Sequence, residues 1–229
     1  MTIVFKPVVL PTDLVGVKPG SLGPCLLRPL FFAGVGNRDM HHLAADAAEA
    51  MIIACQLETG YALTTVGAYR STASCLKVFY ERMTATYNPL VNSRTTRTGP
   101  DGRKWYLRRG MAPVAGFTNG VPDSNHAKGL ANDFAIWSSG KVVGITSIAK
   151  VWAWVKDNAE SFGFSWEGAR EGQPGWEPWH LRYVAGDKIY CVYNAPSEDL
   201  IREHAEKSGF PANRITPISA VIDPSTGKG

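Results

Sequence analysis

Ser124-Asn125-His126-Ala127-Lys128-Gly129-Leu130-Ala131-Asn132-Asp133 is the stretch that decides how this chain is read. It sets an imidazole and a carboxylate seven residues apart, with Gly129 and Ala131 small enough for the backbone to fold close to whatever the two side chains hold. Glu177-Pro178-Trp179-His180 adds a second imidazole and, three residues before it, a carboxylate free to act as a base. A catalytic zinc takes three protein ligands from His nitrogen and Asp or Glu oxygen and leaves one position for water. His126, Asp133 and His180 supply that set. Zinc lowers the pKa of its water to about 7, and a nearby base must still relay the proton, a role for which Glu177 is placed. Pro178 argues against a helical His-Glu-x-x-His arrangement, because the residue before a proline is pushed toward extended backbone. Residues three apart on a strict strand face opposite sides. A turn or bulge is therefore expected just before His180, swinging Glu177 round to the same cavity.

The paired motifs resemble those of the zinc D-Ala-D-Ala carboxypeptidases, D-Ala-D-Ala dipeptidases and phage L-alanyl-D-glutamate endolysins. The pattern of that family is Ser-x-His-x-x-Gly-x-Ala-x-Asp followed downstream by Glu-x-x-His, and both parts are present in full. Gly67-Ala68-Tyr69-Arg70-Ser71 looks like the family's Gly-Tyr-Arg-Ser element with one inserted residue, and the similarity runs over about residues 25 to 190. The chain departs from the pattern at Cys75, where the family often has Gln five residues after the Arg. The resemblance implies zinc as cofactor and hydrolysis of an amide bond in peptidoglycan stem peptides, of D-Ala-D-Ala carboxypeptidase or L-Ala-D-Glu endopeptidase type. It also implies that Arg70 and Ser124 hold the substrate's carboxylate or carbonyl. The alternative is a catalytically silent module of the same fold, zinc-stabilised, binding cell wall or building a virion. Glu177 discriminates between the two, since a purely structural zinc needs no unligated carboxylate three residues from a ligand.

The composition fits this picture. At 229 residues, 45% hydrophobic and 19% charged, the chain suits one well-filled domain. A net charge of +4 favours anionic partners such as bacterial wall polymers without requiring nucleic acid. Cys25, Cys55, Cys75 and Cys191 form no Cys-x-x-Cys pair, so buried free thiols are expected. Lys6, Asp13 and two prolines interrupt what would be the apolar core of a signal peptide, and no stretch is long and apolar enough to span a bilayer. The expectation is a protein made in a host cytoplasm and acting at the wall, as a phage endolysin released at lysis or a virion-associated enzyme, with terminal segments suited to phage tail proteins.

Punctuation sets off an extended N-terminal arm over 1–24 and a C-terminal helix and tail over 193–229, and the resemblance implies that 25–192 between them is a zinc peptidase domain. Met40, Leu43, Ala44, Ala47, Met51, Ile52 and Cys55 recur at helical steps until Gly60. His41 and His42, near the start of that run, read as a surface pair because no third ligand type lies at suitable spacing. A β-prone run over 63–68 delivers Arg70, and a helix is expected over about 72–87. Residues 95–107 read as a hairpin about Gly99-Pro100-Asp101-Gly102. Its Arg94, Arg97, Arg103, Lys104, Arg108 and Arg109 read as a solvated face, or as a flap meeting acidic wall material. Asp133, Ala135 and Trp137 should share one face of a strand, and Thr146 should cap a helix that runs to about Phe162. His204 falls in a last helix and is expected to be exposed. The fold class expected is α+β: a small, mostly antiparallel sheet carrying the ligands at the edge of a cleft, with helices from about 38, 72 and 146 on its back.

Overall fold

The computed structural model describes residues 3, 5–31, 38–168, 170–173, 175–191, 193–209, 212–215 and 217. In chain order the elements are β1 (Leu27–Pro29), β2 (Asp39–His41), α1 (His42–Thr59), β3 (Ala62–Gly67), α2 (Thr72–Arg82), β4 (Met83–Thr84), β5 (Asn92–Thr98) and β6 (Lys104–Arg108). They continue with β7 (Phe117–Thr118), β8 (Val121–Pro122), β9 (Ala131–Ser138), β10 (Lys141–Gly144), α3 (Ala149–Asn158), β11 (Phe164–Trp166), β12 (His180–Tyr183) and α4 (Glu198–Ser208). The fold is α+β, built on antiparallel pairs.

The main sheet is organised by β9, which alternates as its sequence requires. Asn132, Phe134 and Ile136 are fully buried on one face, while Asp133 and Trp137 stand on the other. Along one side β9 pairs with β3; along the other its first half pairs with β12 and its second half with β10. β11 extends the sheet beyond β12. Helix α1 covers the buried face with alanines at 44, 47 and 48 and with Met51, Ile52 and Cys55, so its backbone approaches closely. Gly60, at φ +80°, ends it in the left-handed cap that only glycine takes without strain. Phe134 meets Phe164 edge to face at 5.6 Å, and α3 closes the same core with Val151 and Val155.

A second, smaller core joins α2 to the three-stranded sheet β4-β6-β5, with Phe79 edge-on to both Trp105 and Phe117. Helix α2 thus belongs to this satellite rather than to the back of the main sheet, and it ends at Arg82, where the chain enters β4. The hairpin of β5 and β6 turns at Gly99-Pro100-Asp101-Gly102 as expected. Arg94 and Arg103 are exposed, Arg103 paired with Asp101, as a solvated face requires, while three others of the segment bond to backbone. Arg97 donates to the carbonyls of Val114 and Thr96, Arg108 to Met83, and Arg109 to Asn92 and Pro89. These guanidinium groups satisfy backbone acceptors in a region poor in regular structure.

Two other expectations change. Thr146 does not cap α3, whose N-cap is Ile148, because the turn from Gly144 to Ser147 consumes the residues before it. The cysteines are free, but only Cys55 and Cys75 are buried; Cys25 and Cys191 are exposed. Residues 5–22 lie along the domain, with Leu14 buried, Lys6 bonded to Ser165 and Arg182, and Gly20 bridging Ala127 and Thr72. His204 is exposed on α4, beside Tyr193. The expected turn-rich tail after residue 210 falls mainly outside the described residues. Among the described residues no helix is long and apolar enough to cross a membrane.

Candidate metal centre

Register builds the site. Asp133 on β9 stands directly between Gly67 of β3 and His180 of β12. A bulge at Thr65–Gly67 leaves glycine beside the carboxylate, and a Cβ there would come within 2.8 Å of Asp133 Oδ2. Beyond the bulge the chain leaves the sheet, and the Ala68 carbonyl accepts from His126 Nδ1 at 2.7 Å. That bond puts the proton on Nδ1 and leaves the Nε2 lone pair facing Asp133 Oδ1, 3.4 Å away.

His126 is held in a wound turn. Ala127, Lys128 and Gly129 donate to Ser124, Asn125 and His126 in succession, and Arg70 N–H donates to the His126 carbonyl. Gly129 closes the turn at φ +68°, and a Cβ on it would press 2.8 Å from the backbone nitrogen of His41. Ala127 packs into the satellite core, which clamps the turn from the other side.

The second motif arrives through the turn its proline suggested. His180 N–H donates back to the Glu177 carbonyl at 3.1 Å, and Trp179 C=O accepts from Phe134 N–H. His180 Nδ1 sits 3.0 Å from Asp133 Oδ1, and the His126 and His180 ring centroids are 4.9 Å apart. One ligand atom from each of His126, Asp133 and His180 lies within 4.8 Å of the others, a spacing that one small cation can bridge. The two histidines are nearly fully buried, at 4% and 9% exposure.

Glu167, unremarked in the sequence, completes the arrangement. One carboxylate oxygen lies 2.7 Å from His180 Nε2, while the other accepts from Asn125 Nδ2 at 3.0 Å and pairs with Arg182 at 3.3 Å. It therefore takes the proton on Nε2 and leaves Nδ1 turned toward Asp133, the role carboxylates commonly play behind a metal-bound histidine. The only hint in the sequence is positional. Trp166 pairs with Leu181, so the next residue out along β11 must come opposite His180.

The charges are strongly coupled. Burial works against the Asp133 carboxylate, yet the neighbouring His126 and His180 outweigh it and hold the group well below the usual carboxylate range. Burial likewise opposes a charged His180, but Asp133 and Glu167 on its two nitrogens push it up to about 9. His126, more deeply desolvated, is held below the ordinary imidazole range. Arg70 donates to Asp133 Oδ2 at 3.0 Å and leaves Oδ1 to the histidines. Glu177 is half-buried; burial raises its carboxyl, with His180 pulling the other way and Asp133 and Arg70 also within electrostatic reach. Ser124 is half-buried at the head of the His126 turn, its carbonyl accepting from Ala127. Of the nearby aromatics, Tyr183 is core, Trp176 stacks near Trp166, and Trp179 is exposed.

Residues 37–186 match the VanY family, D-alanyl-D-alanine carboxypeptidase. The chain belongs to the VanY family. A shorter match, over 178–218, is to the nickel-responsive protein SCO4226-like family. Among curated proteins, "Putative carboxypeptidase YodJ" of Bacillus subtilis (strain 168) is 30% identical over 158 residues, 66% of this chain. Those residues are 48% of that protein, so the chain spans about half the length of the curated relative it matches. Two solved structures are similar at low identity. VanYB in complex with D-alanine-D-alanine has a TM-score of 0.45 and 16% identity, over 89% of this chain and 93% of that one. The D,D-dipeptidase VanXYg in complex with a D-Ala-D-Ala phosphinate analogue has a TM-score of 0.42 and 18% identity, over 89% and 67%. In VanY-family terms, the segment from Gly67 to His180 that holds the clustered side chains falls wholly inside the matched region.

Substituting Gly129→Ala should cost about 1–3 kcal/mol in a urea titration, the usual penalty for a side chain forced into the left-handed region. Stability unchanged within error would show that the turn carrying His126 is not held as tightly as its geometry implies.

Proposed function

We propose that this chain is a zinc-dependent peptidoglycan peptidase that removes a terminal D-amino acid from stem peptides, with His126, Asp133 and His180 as the metal ligands. The observation that carries this reading is the convergence of those three donors, each already turned by a neighbour: His126 by the Ala68 carbonyl, Asp133 by Arg70, His180 by Glu167. Two imidazole nitrogens and one carboxylate oxygen are a donor set that suits catalytic zinc. Membership of the VanY family supports the carboxypeptidase type, and the names of the relatives agree with it. The domain limits proposed are those expected from the sequence, with the peptidase unit over 25–192.

Zinc bound there would supply Lewis acidity and a water that ionises near neutral pH. The chain's own groups do the rest. Glu177, half-buried and outside the ligand set, takes the proton of the attacking water and passes it to the departing amine. The burial that raises its carboxyl brings its proton affinity closer to what a relay at neutral pH needs. Arg70, fixed at one end by Asp133, keeps donors to spare and a positive charge for the substrate's C-terminal carboxylate. Ser124, at the head of the His126 turn, adds a hydroxyl for the substrate's carboxylate or carbonyl. Glu167, Asn125 and Arg182 form a brace that keeps His180 from rotating.

Digestion of purified peptidoglycan and of synthetic stem pentapeptide should release D-alanine, and a chelator should abolish the release. Glu177→Ala should leave zinc bound, by metal analysis, while kcat falls by about 10²–10⁴; full activity in that variant would remove Glu177 from the mechanism. Glu167→Gln should weaken zinc binding by about 10–100-fold with the fold intact by circular dichroism. Unchanged affinity would make Glu167 a bystander.

A further inference from the structure

The pair His41 and His42, which the sequence left on the surface without a third ligand, acquires one from the N-terminal arm. A 3-10 turn at Thr12–Leu14 carries Asp13 against both rings. His41 Nε2 lies 2.9 and 3.1 Å from the two carboxylate oxygens, and His42 Nε2 lies 2.7 Å from Oδ2. The rings stand 4.4 Å apart, centroid to centroid, and one ligand atom from each of the three residues lies within 4.8 Å of the others. Among the described residues this is the second such group, and it repeats the donor set of the first.

We propose that Asp13, His41 and His42 form a second binding site for a divalent transition cation such as zinc, separate from the catalytic centre and serving to fasten the arm. The inference stands apart from the catalytic reading. The backbone under each donor is held by groups outside the cluster, so less order remains to be imposed on binding. Thr12 donates through its backbone N–H and its hydroxyl to Asp187 Oδ1, and Leu14 is buried, which fixes the turn on both sides of Asp13. His41 is fully buried and its backbone N–H donates to the Gly129 carbonyl; His42 is the first residue of α1. Asp13 and His42 are each more than a third exposed, which leaves an entry side and room for water to complete the coordination sphere.

The competing arrangement is a hydrogen-bonded clasp, with both Nε2–H groups donating to Asp13. Metal binding carries one cost relative to it: His41 Nδ1 is buried with no partner among the described residues, and ligation through Nε2 moves the ring proton there. The second site should accordingly be the weaker of the two. Its consequence is mechanical. The arm beyond Asp13 bonds Gly20 to Ala127 and Thr72, and Leu22 to the Tyr69 hydroxyl, next to Arg70 and the His126 turn. An ion that anchors Asp13 would secure these contacts.

The test is a zinc titration of the untagged full chain after removal of metal, read by calorimetry and by metal analysis after gel filtration. Wild type should bind two equivalents, the second more weakly. His180→Ala should keep the weaker one alone, and His42→Ala or Asp13→Asn should keep the tighter one alone, each with an unchanged circular dichroism spectrum. In His180→Ala, zinc should also slow proteolytic cleavage of the arm. A single equivalent in wild type that His180→Ala abolishes, or a second that survives in both His42→Ala and Asp13→Asn, would overturn the proposal and leave the clasp. Loss of the tighter equivalent alone would count against the catalytic reading and not against this one.

Discussion

The antiparallel pairing of β9 with β12 is the constraint on which the site depends. It places Asp133 opposite His180, and the pairing of β9 with β3 places Gly67 on the other flank. A slip of one residue would turn Asp133 into the core and expose Phe134. That slip is prevented by what lies on the buried face: Phe134 and Ile136 against α1, and Asn132 bonded to Thr65. The hydrophobic core therefore specifies the chemistry on the opposite face, two residues at a time.

Around that register the polar groups form one chain, from the Ala68 carbonyl through His126, Asp133 and His180 to Glu167. Acceptors and imidazoles alternate along it, so each ring turns one nitrogen to an outer acceptor and the other inward to Asp133. Buried charges are costly unless paired, and every charge in this row has a partner, with Arg70 and Arg182 closing the two flanks. A network satisfied in this way is stiff, and stiffness is what a three-ligand centre needs to select one geometry.

Much of this was legible in the chain. The alternation of residues 131–137, the run of small residues that becomes α1, and the turn forced by Pro178 all follow from local rules. The spacing of His126, Asp133 and His180 led directly to the cluster. What was hidden depends on pairing between distant segments. Glu167 gains its place only because β11 lies beside β12, and Asp13 reaches His41 and His42 only because the arm folds back over α1. The arginines of the hairpin read from the sequence as a solvated face or as a flap meeting acidic wall material. Arg97, Arg108 and Arg109 turn out to satisfy backbone carbonyls from other segments, a demand that only tertiary structure reveals. Thr146 failed as a cap since a competing turn used its neighbourhood first.

The central claim is that the three donors bind one zinc through particular atoms, and a crystal structure of the zinc-soaked protein with data at the zinc edge tests it most directly. The expected result is an anomalous peak about 2.0–2.2 Å from His126 Nε2, an Asp133 oxygen and His180 Nδ1, with Glu167 retained on His180 Nε2. A peak bonded to His180 through Nε2, or no peak among these side chains, would contradict it.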